Sequence, residues 1–323
     1  MGVAQARSQR RSRRLSTTVA TARSTAAPTV AALLTGAGIA VQSYVNGRLG
    51  RSLGSGELAA AYNNVSGLAV LGAIAVATGA WPRAMRHWRG VRPWYLLGGL
   101  GGALMVTAGA IAAPEIGVAL LSLALVCGQS SGSLVADRAG LSPAGRRDLT
   151  APRVIGVLIA VCAVAISALG AHSDPQAGLI ALAIVAGAAM ALQQAANGHL
   201  AATTGEPIFA STVNFLVGAI ALVVAAAIAT GLTPSHGWSA APAPEYLGGL
   251  IGVVAATSMA IVVSRLGVLR LMLAVIAGQA VGGLVVDLIA PVRGETVTAA
   301  TVAGVALTFV AVLVSARGDQ GER

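Results

Sequence analysis

Ten residues, AVQSYVNGRL (Ala40–Leu49), return as ALQQAANGHL (Ala191–Leu200), an offset of 151. At that offset Gln42 falls on Gln193, Asn46 on Asn197, Gly54 on Gly205, Asn63 on Asn214, Gly67 on Gly218, Pro93 on Pro244 and Tyr95 on Tyr246. With one residue slipped, GQSSGSLVAD (Gly128–Asp137) meets GQAVGGLVVD (Gly278–Asp287). One unit used twice restricts the chain to folds with two equivalent halves. Polar residues also recur at matched places inside apolar segments, where repeat-built membrane folds set their sites.

The segments between these markers are apolar enough to fix the class. The 323 residues are 56% hydrophobic and only 10% charged, with 41 glycines and a mean hydropathy of +0.79. Runs of about 18 or more apolar residues, each able to cross a hydrocarbon core of roughly 30 Å, follow one another along the chain. The alternating pattern of a membrane β-barrel is absent. The reading is an all-α polytopic membrane protein with ten spans, at about 28–49, 58–80, 93–113, 116–136, 152–170, 177–198, 207–230, 245–264, 267–289 and 298–316. Five spans per copy is odd, so the second copy enters from the opposite side and the repeats are inverted. The expected division is a disordered arginine-rich tail (1–27), a first five-helix repeat (28–170), a second (171–316) and a short tail (317–323).

Charge placement tests the count. There is no lysine, so all 21 basic residues are arginine. With the N-terminus inside, 18 arginines fall on the cytoplasmic side, and only Arg48, Arg51 and Arg293 fall outside. That asymmetry follows the positive-inside rule and would be scrambled by one span more or fewer. Topology also accounts for the net charge of +10, so no nucleic-acid partner is expected. The tail, Met1 to about Arg23, is expected to lie on anionic lipid head groups. SRRLS (Ser12–Ser16) lacks the apolar stretch that a twin-arginine signal needs behind it. Cys127 and Cys162 fall inside spans and read as small packing residues.

Enzyme chemistry has little to stand on. No Walker motif, no H-E-x-x-H and no G-x-S-x-G occurs, and His87, His172, His199 and His236 lie in or at the edges of loops. No metal and no cofactor is expected. The candidate site is made of amides. Gln42 and Asn46 share a helix face, as do Gln193 and Asn197. An amide in hydrocarbon needs a partner, so both faces point into the bundle, as cavity lining or as glue between helices. Asn63 and Asn214 stand near the starts of the second and seventh spans beside Asn64 and Tyr62. Gln129 and Gln279 sit mid-span in G-Q-x-x-G, one residue off a close-packing glycine face. Asp137 and Asp287 end the fourth and ninth spans at opposite surfaces. They are gate or coupling candidates, with Arg138 and Arg293 near them in sequence, or plain helix-end carboxylates. Glu115 reads as a loop acid or helix N-terminal charge. Trp81, Trp88, Trp94 and Trp238 sit at span ends, as aromatic belts do.

Together, the Q-x-x-x-N-G of each first helix, the A-x-x-x-N that follows it and the later G-Q-x-x-x-x-L-V-x-D resemble the YdcZ-like branch of the drug/metabolite transporter superfamily, related to EamA-like carriers. The likeness covers about residues 28–316. It implies a ten-helix secondary carrier of small solutes, often an exporter, with its site between the repeats. It places Gln42, Asn46, Gln193 and Asn197 in the first motif, and Gln129, Asp137, Gln279 and Asp287 in the later one. The expected partners are a small neutral or mildly polar solute and the bilayer, in the bacterial inner membrane with both termini cytoplasmic; a homodimer is left open. A lipid or lipid-linked flippase and a non-transporting membrane scaffold or sensor remain as alternatives.

Overall fold

The computed structural model describes residues 2–141, 145–169, 177–266, 268–291 and 297–318. Side chains are described from Ala26 on, apart from residues 260, 263, 264 and 268–270. Ten long helices form two sets of five: α1 (Gly2–Leu53), α2 (Gly56–Ala77), α3 (Gly98–Ile116), α4 (Val118–Arg138) and α5 (Ala151–Leu169), then α6 (Ala177–Thr204), α7 (Pro207–Thr230), α8 (Gly248–Leu266), α9 (Val268–Ile289) and α10 (Ala299–Gly318). Judged on the described residues, nine of the ten are long and apolar enough to cross a membrane, all but α8. The protein is an all-α polytopic membrane protein built from two five-helix repeats.

The segment expected to be a disordered tail continues α1 back to Gly2. No glycine or proline interrupts residues 3–27, and Ala, Arg and Gln favour helix. Turns are matched between the halves. Gly54 and Gly205 both take positive φ (73° and 70°) where the first helix of each repeat turns into the second, a conformation glycine adopts without strain. Ser55 then caps α2 by accepting from the Leu58 N–H at 3.2 Å.

The third helices correct the expected register. Each follows a five-residue 3₁₀ turn, Pro93–Leu97 before α3 and Ala243–Leu247 before α8. Gly98 and Gly248 open the two helices, an offset of 150. The slip therefore falls before Pro93 rather than after Tyr95, and Pro93 and Tyr95 do not correspond to Pro244 and Tyr246. Tyr95 occupies the place of Glu245, and both are buried.

The repeats interlock. The first helix of each packs on the fourth helix of the other, α1 on α9 and α6 on α4. Glycines make this possible by bringing backbone against backbone. A Cβ on Gly128 would overlap the Ile184 carbonyl, and one on Gly278 the Leu33 carbonyl. In return a Cβ on Gly187 would overlap the Leu125 carbonyl, and one on Gly36 the Val275 carbonyl. Between lipid-immersed helices, such contact supplies the dispersion attraction that water cannot drive. Around this seam α2 packs on α7, α4 on α9 and α5 on α10. Gly128→Ala is expected to lower stability by about 1–3 kcal/mol through overpacking. Gly72→Ala, whose Cβ would meet nothing within 4 Å, is expected not to lower it, since alanine favours a helix interior over glycine. Thermal unfolding of the detergent-purified protein reads both.

Candidate functional site

The amides gather in two clusters rather than along one central face. In the first, Gln42 Nε2 donates to Asn63 Oδ1 at 3.1 Å. Asn46 lies beside them, and all three are at most 5% exposed. They face α8, where glycine is required. A Cβ on Gly248 would overlap Asn46 Oδ1, and one on Gly252 would lie 2.7 Å from Gln42 Nε2. In the second cluster a Cβ on Gly98 would lie 2.8 Å from Asn197 Oδ1, and one on Gly102 would lie 3.2 Å from Gln193 Oε1 and 3.3 Å from Asn214 Oδ1. Helices one and two of each repeat thus carry an amide cluster against helix three of the other. Because the repeats run in opposite senses, the first cluster lies toward the end of the bundle where α1 finishes (the Leu53 end). The second lies toward the end where α4 finishes (the Arg138 end). Asn46 Oδ1, Asn63 Nδ2 and Gln193 Oε1 are buried without a hydrogen-bond partner.

The remaining amides sit at mid-span. Gln129 Nε2 lies 3.7 Å from the Met190 thioether, while Gln279 is 1% exposed on α9. Asn64 stands at the α2–α7 contact, its Oδ1 2.9 Å from where a Cβ on Gly218 would stand. Tyr62 packs on Tyr246 and Trp238, with ring centroids 5.0 and 6.3 Å apart.

At the Leu53 end the repeats are latched by carboxylates. Asp287 Oδ1 and Oδ2 accept from the Val118 and Ala119 N–H groups at 2.9 and 2.7 Å, capping α4. Gly117 (φ 78°) permits the approach, since a Cβ there would stand 2.9 Å from Asp287 Oδ2. Glu245, 6% exposed, accepts from Arg48 Nε at 2.9 Å and from Ser52 Oγ at 2.6 Å. The sequence reading missed Glu245; its position three residues before the glycine that opens α8 was the available signal. Arg51 bonds the Pro114 carbonyl and lies 3.7 Å from Glu115, which belongs to the last turn of α3 rather than to a loop.

The Arg138 end is built differently. Asp137 pairs with Arg153 of its own repeat, and its neighbour Arg138 pairs with Asp148 at 3.1 Å. Arg293 lies outside the described residues. His199, equivalent to Arg48, lies inside α6 and stacks on Tyr95, equivalent to Glu245, with centroids 5.0 Å apart and planes 4° from parallel. His172 falls outside the described residues. Arg83 bonds Glu206 across the repeats and holds its carboxyl below the usual range. That contact is present at neutral pH and is lost as pH falls through the lowered carboxyl value. Cys127 is buried, but Cys162 is exposed on the outer face of α5, contrary to the expectation that both pack inside.

Equivalent positions differ in exposure from end to end. On the first helices, Ile39 and Ser43 are buried, whereas Met190 and Gln194 are half-buried. On the third, Ala108 and Gly109 are buried, but Ser258 and Met259 are half-buried. On the fourth, Ser122, Ala280 and Gly283 are buried, against half-buried Met272, Ser130 and Ser133. The helices explain this. α1 packs closely on α3, with Gly47 against Ala113 and Pro114 and Gly109 against Ser43. Among the described residues α6 makes no such packing on α8. The bundle is therefore closed at the Leu53 end and parted at the Arg138 end, where α4, α6, α8 and α9 bound a crevice.

Residues 27–166 and 178–314 match the family described as "Putative inner membrane exporter, YdcZ", one segment over each repeat. No curated protein and no solved structure gives a significant match.

Asp287→Ala is expected to cost about 1–2 kcal/mol, since it strips the cap from α4. Asp287→Asn, which keeps an acceptor oxygen, is expected to cost less. Thermal melts of the two variants check the order.

Proposed function

The chain belongs to the YdcZ family of the drug/metabolite transporter superfamily, and from that membership we propose that it is a secondary exporter of a small metabolite or drug-like solute, working by alternating access between its two repeats. Family and apolar helices together make it a multi-pass inner-membrane transport protein. The observation that carries the finer reading is the end-to-end asymmetry. A chain of two equivalent repeats whose equivalent residues are buried at one end and half-exposed at the other occupies one of two related states. The other follows by exchanging the repeats' conformations.

On the arginine distribution the parted Arg138 end is cytoplasmic, so this state loads from inside. In the cycle Asp287 releases the N-terminus of α4 as the Leu53 end opens, and the Arg48–Glu245 contact parts with it. Asp137 acts as the corresponding gate at the other end. The amides move with the helices: Gln42, Asn46 and Asn63 become accessible when the Leu53 end opens, and Gln193, Asn197 and Asn214 close over in turn. Their unpartnered atoms then have hydrogen bonds to offer a solute. Gln129 and Gln279, at mid-span, border the path in both states.

Two measurements test this. In a background carrying Cys127→Ala and Cys162→Ser, Gln194→Cys is expected to react with an impermeant maleimide from the cytoplasmic face. Ser43→Cys is expected to resist until the carrier turns over, and then to react from outside. Metabolite profiling of cells and medium then compares a strain lacking the protein, one overproducing it and one overproducing Gln194→Trp at equal membrane abundance. The expected result is a compound that leaves the cell with the intact protein and at least tenfold more slowly with Gln194→Trp. A compound that moves while Ser43→Cys never reacts overturns alternating access. The absence of any shifted compound overturns solute export and leaves the lipid and scaffold readings.

A further inference from the structure

Three of the six methionines, Met190, Met259 and Met272, stand at the parted end, each half-buried. The fold does not require them there. Their equivalents in the closed half are Ile39, Gly109 and Ser122, all buried. Polar residues stand half-buried on the same four helices. Met272 on α9 has Ser130 and Ser133 on α4 as fellow wall residues, and Met259 on α8 has Gln194 on α6. Met190 itself lies 3.7 Å from Gln129 Nε2. The crevice walls thus mix thioethers with hydroxyls and amides. Farther out toward the mouth Asp137 and Arg153 are paired with each other, and Arg265 is exposed in the last turn of α8, while the wall positions named carry no ionic side chain.

From this composition we infer that the crevice is a binding site for an uncharged amphipathic molecule, with its apolar body against Met190, Met259 and Met272 and its hydroxyl or amide groups against Ser130, Ser133 and Gln194. The inference rests on the carrier reading above and supplies its substrate class. Thioether side chains are unbranched and polarizable, so they fit varied apolar shapes at little cost in strain. At the depth of the three methionines an ion would have to shed its hydration with no counter-charge on the wall positions named, a heavy penalty in a low-dielectric site. A site of this kind accepts several related compounds and rejects their charged analogues.

The test uses the full chain in lipid nanodiscs, with empty discs subtracted for partition into lipid. The probes are N-phenyl-1-naphthylamine and its sulfonate, 1-anilinonaphthalene-8-sulfonate, which share one apolar body and differ in charge. Equilibrium dialysis is expected to show saturable binding of the uncharged probe and at least tenfold weaker binding of the sulfonate. Joint replacement by Met190→Ser, Met259→Ser and Met272→Ser is expected to weaken the uncharged probe at least tenfold. Met85→Ser, on the short helix Ala80–Met85 outside the crevice, is expected to leave it unchanged. A thermal melt confirms that each variant is folded, and joint replacement by leucine serves if the serine form is not. It keeps the apolar contact and is expected to retain the preference for the uncharged probe. Equal binding of the two probes, no saturable binding, or indifference of a folded serine variant overturns the inference. Binding failure alongside a labelled, turning carrier sinks this inference alone. Intact binding in a carrier whose labelling never changes sinks the transport reading instead.

Discussion

Close approach of glycine backbones across the two repeats is the constraint on which the rest depends. In lipid, apolar side chains gain nothing by leaving one hydrocarbon for another, so helices associate where backbones can come near enough for dispersion and weak polar contact to accumulate. Gly36, Gly128, Gly187 and Gly278 meet that condition twice over, each against a carbonyl of the opposite repeat. Once α1 lies on α9 and α6 on α4, the faces carrying Gln42, Asn46, Gln193 and Asn197 are turned toward the third helices. Those helices must then offer Gly98, Gly102, Gly248 and Gly252. The polar residues are placed by the packing seam and do not themselves create it.

Much of this was legible in the chain. Ten spans, their approximate limits, the inverted repeat and the pairing of Gln129 with Gln279 follow from apolar length and self-similarity, because a bilayer converts composition almost directly into helices. The one-residue slip was legible, but its place was not. Pro93 and Tyr95 mimic Pro244 and Tyr246 in spacing, and only the backbone shows that Gly98 and Gly248 begin equivalent helices. That misalignment hid Glu245, which had been matched to no acid and lies in a turn. The separation of the amides into two clusters was likewise hidden. Gln42 and Gln193 each lie slightly past the middle of a helix, and in antiparallel repeats a shared displacement becomes a separation. The tail shows the opposite case, where residues that read as disordered by charge retain good helix propensity.

Equivalence of backbone has not preserved equivalence of chemistry. Where one half joins Arg48 to Glu245, the other stacks His199 on Tyr95. Where one carboxylate caps a helix across the repeats, its counterpart, Asp137, pairs with Arg153 inside its own. An ion pair between partly buried groups is tight and directional, while an aromatic stack tolerates sliding. Among the described residues the Arg138 end keeps one ion pair across the repeats, Arg83 with Glu206, whereas the Leu53 end has both the Arg48–Glu245 pair and the Asp287 cap.

The outermost pair departs from this pattern. α5 and α10 meet through two contacts related by the repeat symmetry, Gly156 on Ser315 near one end and Gly304 on Ser167 near the other. Both bring a glycine onto a serine hydroxyl, so the pair is bolted at top and bottom, whereas the packing of α1 on α3 has no counterpart between α6 and α8 among the described residues. Under the proposed exchange of states, the moving helices would turn against that pair. It would then serve as the fulcrum: a cross-link along it would be borne without loss of motion, where the same link between α6 and α8 would stop the cycle.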